Sequence, residues 1–409
     1  MKTTLTLFLA AALPLAAQTK APTKTMTDPN AVHAHALVID THADTPQRFL
    51  DEGFDFAGPL NGGMLSLDAA KQGNLDAEFF SIWVEPTQYK GQYAHRTLAL
   101  IDAVLQQAAK HPDKMRMAYS AEDIVAAHRE HKFAALMGIE GGHSIEADLG
   151  LLRDYYRLGV RYLTLTWSNT NEWADSSGDI NDTAIQHHDG LTPFGKDVIR
   201  EMNRLGMMVD ISHVADKTFY DALAVSTAPV IASHSSARAL TNHPRNMTDD
   251  MLRAMTKNNG VVMVNFFPAF IDANWLAAWQ AQKPERDKAT AELAAAYKAK
   301  GEPMPYGASD KIDREYAAKI PRAPLSALID HIDHVMKVAG VDHTGIGSDF
   351  DGIPSTPEGI DSAADLPKIT AALMARGYTA EDMRKVLGGN LLRVFADVQE
   401  TSVQMHTHP

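Results

Sequence analysis

Five short apolar runs in this chain end in side chains that can ligate a metal or carry a proton. The first run, residues 37–39, leads into His42 and Asp44. Residues two apart in an extended strand face the same side, so this imidazole and this carboxylate point together. Both groups are ligands of divalent metals. Each of the other runs ends in a single residue of this kind, namely Glu140 after 133–139, His213 after 207–211, His234 after 229–232 and Asp349 after 344–347.

The chain contains no cysteine, which narrows the chemistry of any metal site. Without thiolates, such a site must use His, Asp and Glu side chains. One His-x-Asp pair occurs often by chance and indicates little alone. Five strand ends that carry these residue types form a much stronger pattern. Together they predict a metal centre, provided that the fold brings the strand ends to one place.

The order of the elements predicts such a fold. Apolar runs with strand character alternate mostly with segments of helical spacing, which is typical of a parallel α/β fold. Eight such units over 409 residues predict a (β/α)8 TIM-like barrel, whose functional residues gather at the C-terminal mouth of the strands. The predicted strands are residues 37–39, 76–84, 133–139, 161–167, 207–211, 229–232, 261–266 and 344–347.

The N-terminal residues have the three-part pattern of an export signal. Lys2 is basic, the following run is apolar, and small residues precede Gln18. This pattern predicts a signal peptide over residues 1–17 and a polar linker over residues 18–30. We therefore expect an exported protein, periplasmic or secreted. The apolar run is too short to span a bilayer comfortably, so we expect no membrane insertion.

The rest of the chain is predicted to be one barrel domain, residues 31–400, followed by a polar tail over residues 401–409. A helical insertion near residues 272–324 is rich in Ala, Lys and Glu, which favour helices. It either covers the site or is an ordinary solvated excursion, and the sequence leaves both open. The net charge of −13, from 51 acidic and 38 basic residues, argues against a nucleic-acid partner, which would need a basic patch.

A series of motifs in this chain resembles the renal or membrane dipeptidase family of zinc peptidases, which belong to the amidohydrolase-like barrels. The resemblance covers residues 36–398. It is carried by Ile39-Asp40-Thr41-His42-Ala43-Asp44 and Gly347-Ser348-Asp349-Phe350-Asp351-Gly352, and by residues 138–143, 163–166, 173–175, 210–214, 233–236, 245–246, 264–266 and 390–395.

The resemblance implies a site with two zinc ions. His42 and Asp44 would bind one ion, His213 and His234 the other, and Glu140 would bridge both. A carboxylate has two oxygens, so it can span two neighbouring cations. The pair would share a hydroxide that forms near neutral pH and attacks the peptide carbonyl.

The resemblance also implies roles in proton transfer and substrate binding. Asp349 would act as the general acid and base, alongside Glu140 as the second catalytic carboxylate. Arg245 would pair with the C-terminal carboxylate of the substrate, through its bidentate geometry. Trp167 stands where family members commonly carry a histidine that helps to hold the substrate, and indole has one donor and never charges. Asp40 and Asp351 are interpreted as structural residues.

These expectations amount to a zinc-dependent dipeptidase that hydrolyses dipeptides with a free C-terminal carboxylate, and that forms a homodimer if it follows the family. Two other functions stay open. One is another binuclear amidohydrolase, acting on an N-acyl amino acid, a lactone or a phosphoester. The other is a peptide- or metal-binding barrel that has lost turnover, which only Trp167 favours.

Overall fold

The computed structural model describes residues 27–302 and 304–407. The predicted signal peptide and most of the predicted linker lie outside the described residues. The strands are all parallel. They are β1 Ile39–Ala43, β2 Ala77–Trp83, β3 Met115–Met117, β4 Phe133–Glu140, β5 Val160–Thr164, β6 Met208–Asp210, β7 Ile231–Ala232, β8 Val261–Val264 and β9 Thr344–Ile346.

Eight of these strands form a barrel in the order β1-β2-β4-β5-β6-β7-β8-β9. The barrel closes just beyond β9, where the Asp349 amide donates to the His42 carbonyl at 2.9 Å and the Asp44 amide donates to the Phe350 carbonyl at 2.8 Å. The predicted (β/α)8 architecture is therefore confirmed. The sequence did not predict β3, which pairs beside the start of β4 outside this barrel path, because three residues are too few to show a period.

Helices separate the barrel strands and cover their outer side, as in other barrels of this class. Local signals explain several of the helix ends. For example, the Thr192 side chain accepts from the Gly195 amide at the start of one helix, and Gly206, with a φ of 81°, ends it. The helices are α1 Pro29–Ala34, α2 Thr45–Asp51, α3 Leu67–Gln72, α4 Tyr93–Lys110, α5 Ala121–Arg129, α6 Leu149–Arg157, α7 Pro193–Leu205, α8 Asp216–Val225, α9 Asp249–Asn258, α10 Pro268–Ile271, α11 Ala273–Ala281, α12 Lys283–Lys300, α13 Tyr306–Ala317, α14 Leu325–Val338, α15 Pro367–Ala375, α16 Ala380–Arg384 and α17 Asn390–Thr407, with short 3-10 turns at Gly142–Ile145, Val341–His343 and Ala363–Asp365 and a π turn at Lys385–Gly389.

The hydrophobic core of the barrel domain has two parts, apart from the small core of the insertion described below. One part lies between the barrel strands and the surrounding helices. The other joins side chains of the strands, such as Phe79 and Leu136, to Leu391 and Phe395 of α17. The rings of Phe79 and Phe395 meet edge to face at 6.2 Å. The final helix is thus anchored to the barrel by apolar contacts.

Two domain boundaries differ from the prediction. The predicted linker ends at residue 30, whereas α1 already begins at Pro29. Residues 401–407 of the predicted polar tail continue α17. Polar residues are compatible with a helix that is solvated on one side, and Ser402 on the other side is buried and donates to the Arg204 carbonyl at 2.6 Å.

The predicted insertion is helical, as expected, and comprises α11, α12 and α13. It has a small core of its own, which includes Trp275, Leu276 and Ala317. By contrast, α12 buries no residue. Within the described parts of the chain, no helix has both the length and the apolarity needed to cross a membrane.

Candidate metal centre

The six residues predicted as metal ligands or proton carrier all lie at the C-terminal ends of barrel strands. His42 lies within β1, Glu140 ends β4, and the other four follow β1, β6, β7 and β9 within three residues. All six are buried. His213 and Asp349 adopt left-handed backbone conformations, with φ of 69° and 65°. Such conformations are uncommon for residues other than glycine and often occur at functional sites.

Glu140 lies between two pairs of side chains. Its Oε1 is 2.8 Å from His213 Nε2 and 3.4 Å from His234 Nε2. Its Oε2 is 3.5 Å from His42 Nε2, which in turn is 3.8 Å from Asp44 Oδ2. We call His42 and Asp44 the β1 half of the site, and His213 and His234 the β6–β7 half. Each half faces one oxygen of the same carboxylate.

Several potential ligand atoms converge closely enough to hold a cation. One group comprises His42, Asp44 and Asp349, and a second comprises His42, Glu140 and His234, with the ligand atoms of each group within 4.8 Å of one another. In the β6–β7 half, His213 Nε2 and His234 Nε2 are 2.9 Å apart.

Unpartnered atoms in the β1 half indicate that a ligand belongs there. His42 Nε2 and Asp44 Oδ1 are buried and have no hydrogen-bond partner among residues 27–302 and 304–407. A buried polar group without a partner is costly, and native proteins rarely keep one. The atoms are imidazole nitrogens and carboxylate oxygens, which suit zinc and other divalent transition metals. The residues present therefore fit a metal centre.

Neighbouring hydroxyl groups fix which ring nitrogen of two histidines faces the site. Tyr162 donates its hydroxyl hydrogen to the Thr41 carbonyl at 3.1 Å, so its oxygen accepts from His42 Nδ1 at 2.9 Å. Ser233 donates to Asp210 Oδ2 at 2.6 Å and so accepts from His234 Nδ1 at 2.7 Å. In the neutral rings, Nε2 of both histidines thus presents its lone pair to the centre, as a metal ligand must.

The two halves differ in their electrostatics. Burial lowers the pKa of His42, but the nearby Glu140, Asp44 and Asp349 carboxylates outweigh it and raise this pKa to about 10. Burial, assisted by the Arg245 charge, lowers the pKa of His213 to about 4. Burial likewise lowers the pKa of His234, with the charge on His42 as the next cause. The β6–β7 imidazoles are therefore neutral at pH 7, whereas His42 is charged when no cation competes with its proton.

Asp349 is held beside the β1 half by Asn265, whose amide donates to Asp349 Oδ2 at 2.9 Å. Burial raises the pKa of Asp349; the charge on His42 opposes this shift and that on Glu140 adds to it. A raised pKa suits a group that must both take up and release a proton near neutral pH.

Both predicted substrate-binding residues lie at the same mouth. Arg245 is buried, and its guanidinium donates to the His234 carbonyl at 3.0 Å and to Ser235 Oγ at 3.4 Å. Its Nε has no partner within the described parts of the chain. The Trp167 ring lies 6.3 Å from that of His213, measured between centroids.

The two carboxylates interpreted as structural do hold turns together. Asp40 accepts from the Ser348 amide at 2.7 Å, and Asp351 accepts from Thr45 Oγ1 and the Met64 amide, both at 2.7 Å. These contacts tie β1, the start of α2 and the loop before α3 to the segment after β9.

Sequence reasoning missed three supporting residues. Tyr162 orients His42, Ser233 orients His234, and Asn265 holds Asp349. Ser233 and Asn265 lie inside motifs that carry the family resemblance, and these motifs could have indicated their roles. Nothing in the sequence indicated the role of Tyr162. Its ring occupies space that the neighbouring strand leaves open at Gly138, where a Cβ would fall 1.9 Å from the ring.

Comparison with known proteins agrees with this geometry. The model of the family described as membrane dipeptidase (peptidase family M19) matches residues 26–409. The chain belongs to this family. An uncharacterised dipeptidase of Schizosaccharomyces pombe is 35% identical to it over 390 residues, which are 91% of this chain and 82% of the yeast protein.

Solved structures of bacterial proteins share the fold. A probable dipeptidase of Pseudomonas aeruginosa has a TM-score of 0.76 at 28% identity, over 91% of this chain and 98% of that one. A metallopeptidase of Rhodobacter sphaeroides, liganded with a phosphinate mimic of L-Ala-D-Ala, has a TM-score of 0.70 at 25% identity, over 89% and 99%. As a member of the membrane dipeptidase family, the protein is a metallo-dipeptidase.

Proposed function

We propose that this metallo-dipeptidase holds two zinc ions and uses them to hydrolyse dipeptides that have a free C-terminal carboxylate. One observation carries the proposal: Glu140 directs one oxygen to each half of the site, and the β1 half contains buried ligand atoms that have no partner within the described residues. His42 and Asp44 would hold one ion and His213 and His234 the other, with Glu140 on both.

When bound, the cations would supply Lewis acidity, which polarises a carbonyl and lowers the pKa of water near neutral pH. The chain's own residues would do the rest. Asn265 occupies Asp349 Oδ2, so we assign proton transfer to Oδ1. Asp349 would accept the proton of the attacking water and deliver it to the nitrogen of the leaving amine, which completes the cleavage of the peptide bond.

Arg245 would fix the substrate's C-terminal carboxylate. Its charge is buried next to the β6–β7 half, where an anion would gain most from it. A substrate bound there would have its carboxylate on one side of the mouth and its peptide bond near Asp349. The requirement for a free carboxylate follows from this charge, because a blocked C-terminus would leave a buried cation unmatched.

The first experiment is a substrate panel for the zinc-loaded protein without residues 1–17. The panel contains L-L, L-D and D-L dipeptides, tripeptides and N-acyl amino acids, and free amino acids are separated by chromatography. The L-D pairs are included because the Rhodobacter relative binds an L-Ala-D-Ala mimic. We expect cleavage of unblocked dipeptides alone, lost on chelation.

The matched variant is Asp349→Asn, which removes the proton carrier and leaves the proposed ligands. It should retain zinc and lose hydrolysis by about 10²–10⁴-fold. Cleavage of N-acyl amino acids in place of dipeptides would replace the proposal with the broader amidohydrolase function. A zinc-loaded protein that cleaves nothing in the panel would overturn it.

We also propose that the protein is exported after removal of residues 1–17 and that it forms a homodimer. The first proposal is supported by the three-part N-terminal pattern and the second by the family resemblance. N-terminal mass spectrometry of the exported fraction and analytical ultracentrifugation test them. An N-terminus at Met1, or a monomer at micromolar concentration, would contradict the respective proposal.

A further inference from the structure

Three aromatic side chains lie together on one side of the mouth. Trp83 is the last residue of β2, Trp167 follows β5, and Tyr306 is the first residue of α13 in the insertion. The centroids of the Trp83 and Trp167 rings are 4.9 Å apart, and those of Trp83 and Tyr306 are 5.9 Å apart. We call these three residues the aromatic wall.

The wall faces the reacting groups. Trp83 pairs in register with Glu140 of the neighbouring strand, and residues paired in this way project from the same side of the sheet. Glu140 projects into the mouth, so Trp83 does as well. Trp167 approaches from the other side of Glu140, with its ring 6.3 Å from that of His213. The wall therefore lines the mouth beside Glu140 and His213.

The surface of the wall is mainly apolar. All three side chains are half-buried and none carries a charge at neutral pH. The Tyr306 hydroxyl donates to the Asp351 carbonyl at 2.9 Å, so its ring rather than its polar end faces Trp83. Such a surface gains free energy by covering an apolar group and loses it by burying an unpaired charge.

The order of the strands places Trp83 across the mouth from Arg245. Arg245 follows β7, and β2 stands four places away from β7 in the ring of eight barrel strands, whereas Trp167 follows β5, two places away. A dipeptide whose carboxylate is held at Arg245 must extend its other residue away from that arginine. The side chain of the N-terminal residue is then the part of the substrate that reaches the wall.

We propose that the aromatic wall selects the N-terminal residue of the substrate and favours large apolar or aromatic side chains over glycine and over acidic residues. This inference rests on the proposed function, since it uses the Arg245 assignment. It gives Tyr306, and through it the insertion, a part in substrate choice.

The test measures kcat/KM for two series of L-dipeptides with the zinc-loaded protein. In the first series the N-terminal residue is Gly, Ala, Leu, Phe or Glu before a fixed Ala. In the second series Ala precedes Gly, Ala, Leu or Phe. We expect the wild-type protein to prefer Phe-Ala to Gly-Ala by about 10–100-fold, the range that added apolar groups give in a pocket.

The variants are Trp83→Leu, Trp167→Leu and Tyr306→Leu, and the matched control is Trp279→Leu. Trp279 is a half-buried tryptophan of the same insertion that stacks on Trp275, away from the wall. Each wall variant should reduce the ratio of kcat/KM for Phe-Ala to that for Gly-Ala several-fold. The ratios of kcat/KM within the second series should stay as in the wild type. The control should change neither set of ratios. Because both substrates are measured on one preparation, partial unfolding cancels from the ratio.

Four results would overturn the inference. If a wall variant lost kcat/KM equally for Phe-Ala and Gly-Ala, the wall would be structural. If the ratios of kcat/KM within the second series changed, the wall would contact the C-terminal residue. A wild-type protein without N-terminal preference would overturn the wall alone and leave the proposed function standing. A wild-type protein that cleaves no dipeptide would overturn the proposed function and this inference together.

Discussion

The two halves of the metal centre present the same residue type in opposite charge states. His42, in the β1 half, lies among carboxylates that raise its pKa to about 10. His213, in the β6–β7 half, lies beside Arg245 and has a pKa of about 4, with burial as the main cause. Glu140 touches both halves. The difference arises from what surrounds each ring rather than from the ring itself.

This contrast separates the two tasks of the proposed reaction. Asp349, the assigned proton carrier, stands beside the acidic β1 half. Arg245, assigned to the substrate carboxylate, stands beside the neutral imidazoles of the β6–β7 half. An anionic substrate end is thus kept away from Asp44 and Asp349 and next to a guanidinium that attracts it.

The substitution with the largest expected effect on both halves is Glu140→Gln. An amide cannot supply two anionic oxygens, so we expect both halves to lose affinity for zinc and hydrolysis to fall to the background rate. Elemental analysis of the dialysed protein, together with the dipeptide assay, checks this. The exposed Glu172→Gln variant is the control and should behave like the wild type. Full zinc content in Glu140→Gln would contradict the shared role of this carboxylate.

A second pair of variants should weaken one half at a time. Tyr162→Phe removes the hydroxyl that orients His42, and Ser233→Ala removes the one that orients His234. Loss of such a partner costs about 10–100-fold in metal affinity. Titration with zinc against a competing chelator should show one weakened site in each variant.

The control for this pair is Tyr155→Phe, whose hydroxyl donates to the Ser144 carbonyl. It should leave both affinities unchanged. If Tyr162→Phe and Ser233→Ala weakened both sites equally, the division into halves would be wrong.

The pH dependence of zinc binding should also differ between the halves. Below its pKa of about 10, His42 must lose a proton to bind a cation, so affinity in the β1 half should fall about tenfold for each unit that the pH drops. His213 is already deprotonated above its pKa of about 4, and the β6–β7 half should be insensitive to pH between 6 and 8 apart from its contact with Glu140. Calorimetric titrations at three pH values measure both. If zinc affinity changed equally with pH at both sites, the proposed difference in charge between the two halves would be wrong.

The smallest effect concerns Glu78 of β2, a carboxylic acid that is not part of the candidate metal site. It is fully buried, and neither carboxylate oxygen has a partner among the described residues. Burial, with smaller contributions from Asp40 and Asp351, raises the pKa of Glu78 well above its usual value. Above about pH 4.3 the unfolded chain therefore loses this proton while the folded protein keeps it, so rising pH lowers the free energy of unfolding by up to about 1.4 kcal/mol per unit.

Glutamine cannot titrate, so Glu78→Gln should gain stability relative to the wild type as the pH rises from 5 to 8. Urea unfolding of both metal-free proteins across this range measures the difference. Glu172→Gln again serves as the control, and its free energy of unfolding should differ from that of the wild type by the same amount at every pH. If the same were true of Glu78→Gln, the Glu78 carboxyl would be ionised in the folded protein.

The meeting of the candidate ligands was predictable, because strand ends in a parallel barrel gather at one mouth whatever the details of packing. His42, Asp44 and Glu140 needed only their position relative to apolar runs. The exact extent of β1 was not predictable: its final residues pair with the segment after β9, more than 300 positions along the chain, and such pairing leaves no local signal.

The supporting residues were harder to predict for a similar reason. The role of Tyr162 depends on space left by Gly138 on an adjacent strand, and Tyr306 enters the mouth from a helix far away in sequence. The continuation of α17 beyond residue 400 was not predicted, because its polar last turns contain only one buried residue, Ser402. Contacts between distant segments decide all three features, and periodicity describes only neighbours along the chain.

The most direct test of the account is anomalous diffraction from crystals of the zinc-loaded protein, recorded on both sides of the zinc absorption edge. We expect two anomalous peaks, one in contact with His42 and Asp44 and one in contact with His213 and His234, with Glu140 bound to both. A single peak, or two peaks of which only one contacts Glu140, would contradict the claim that this carboxylate joins two cation sites of different character.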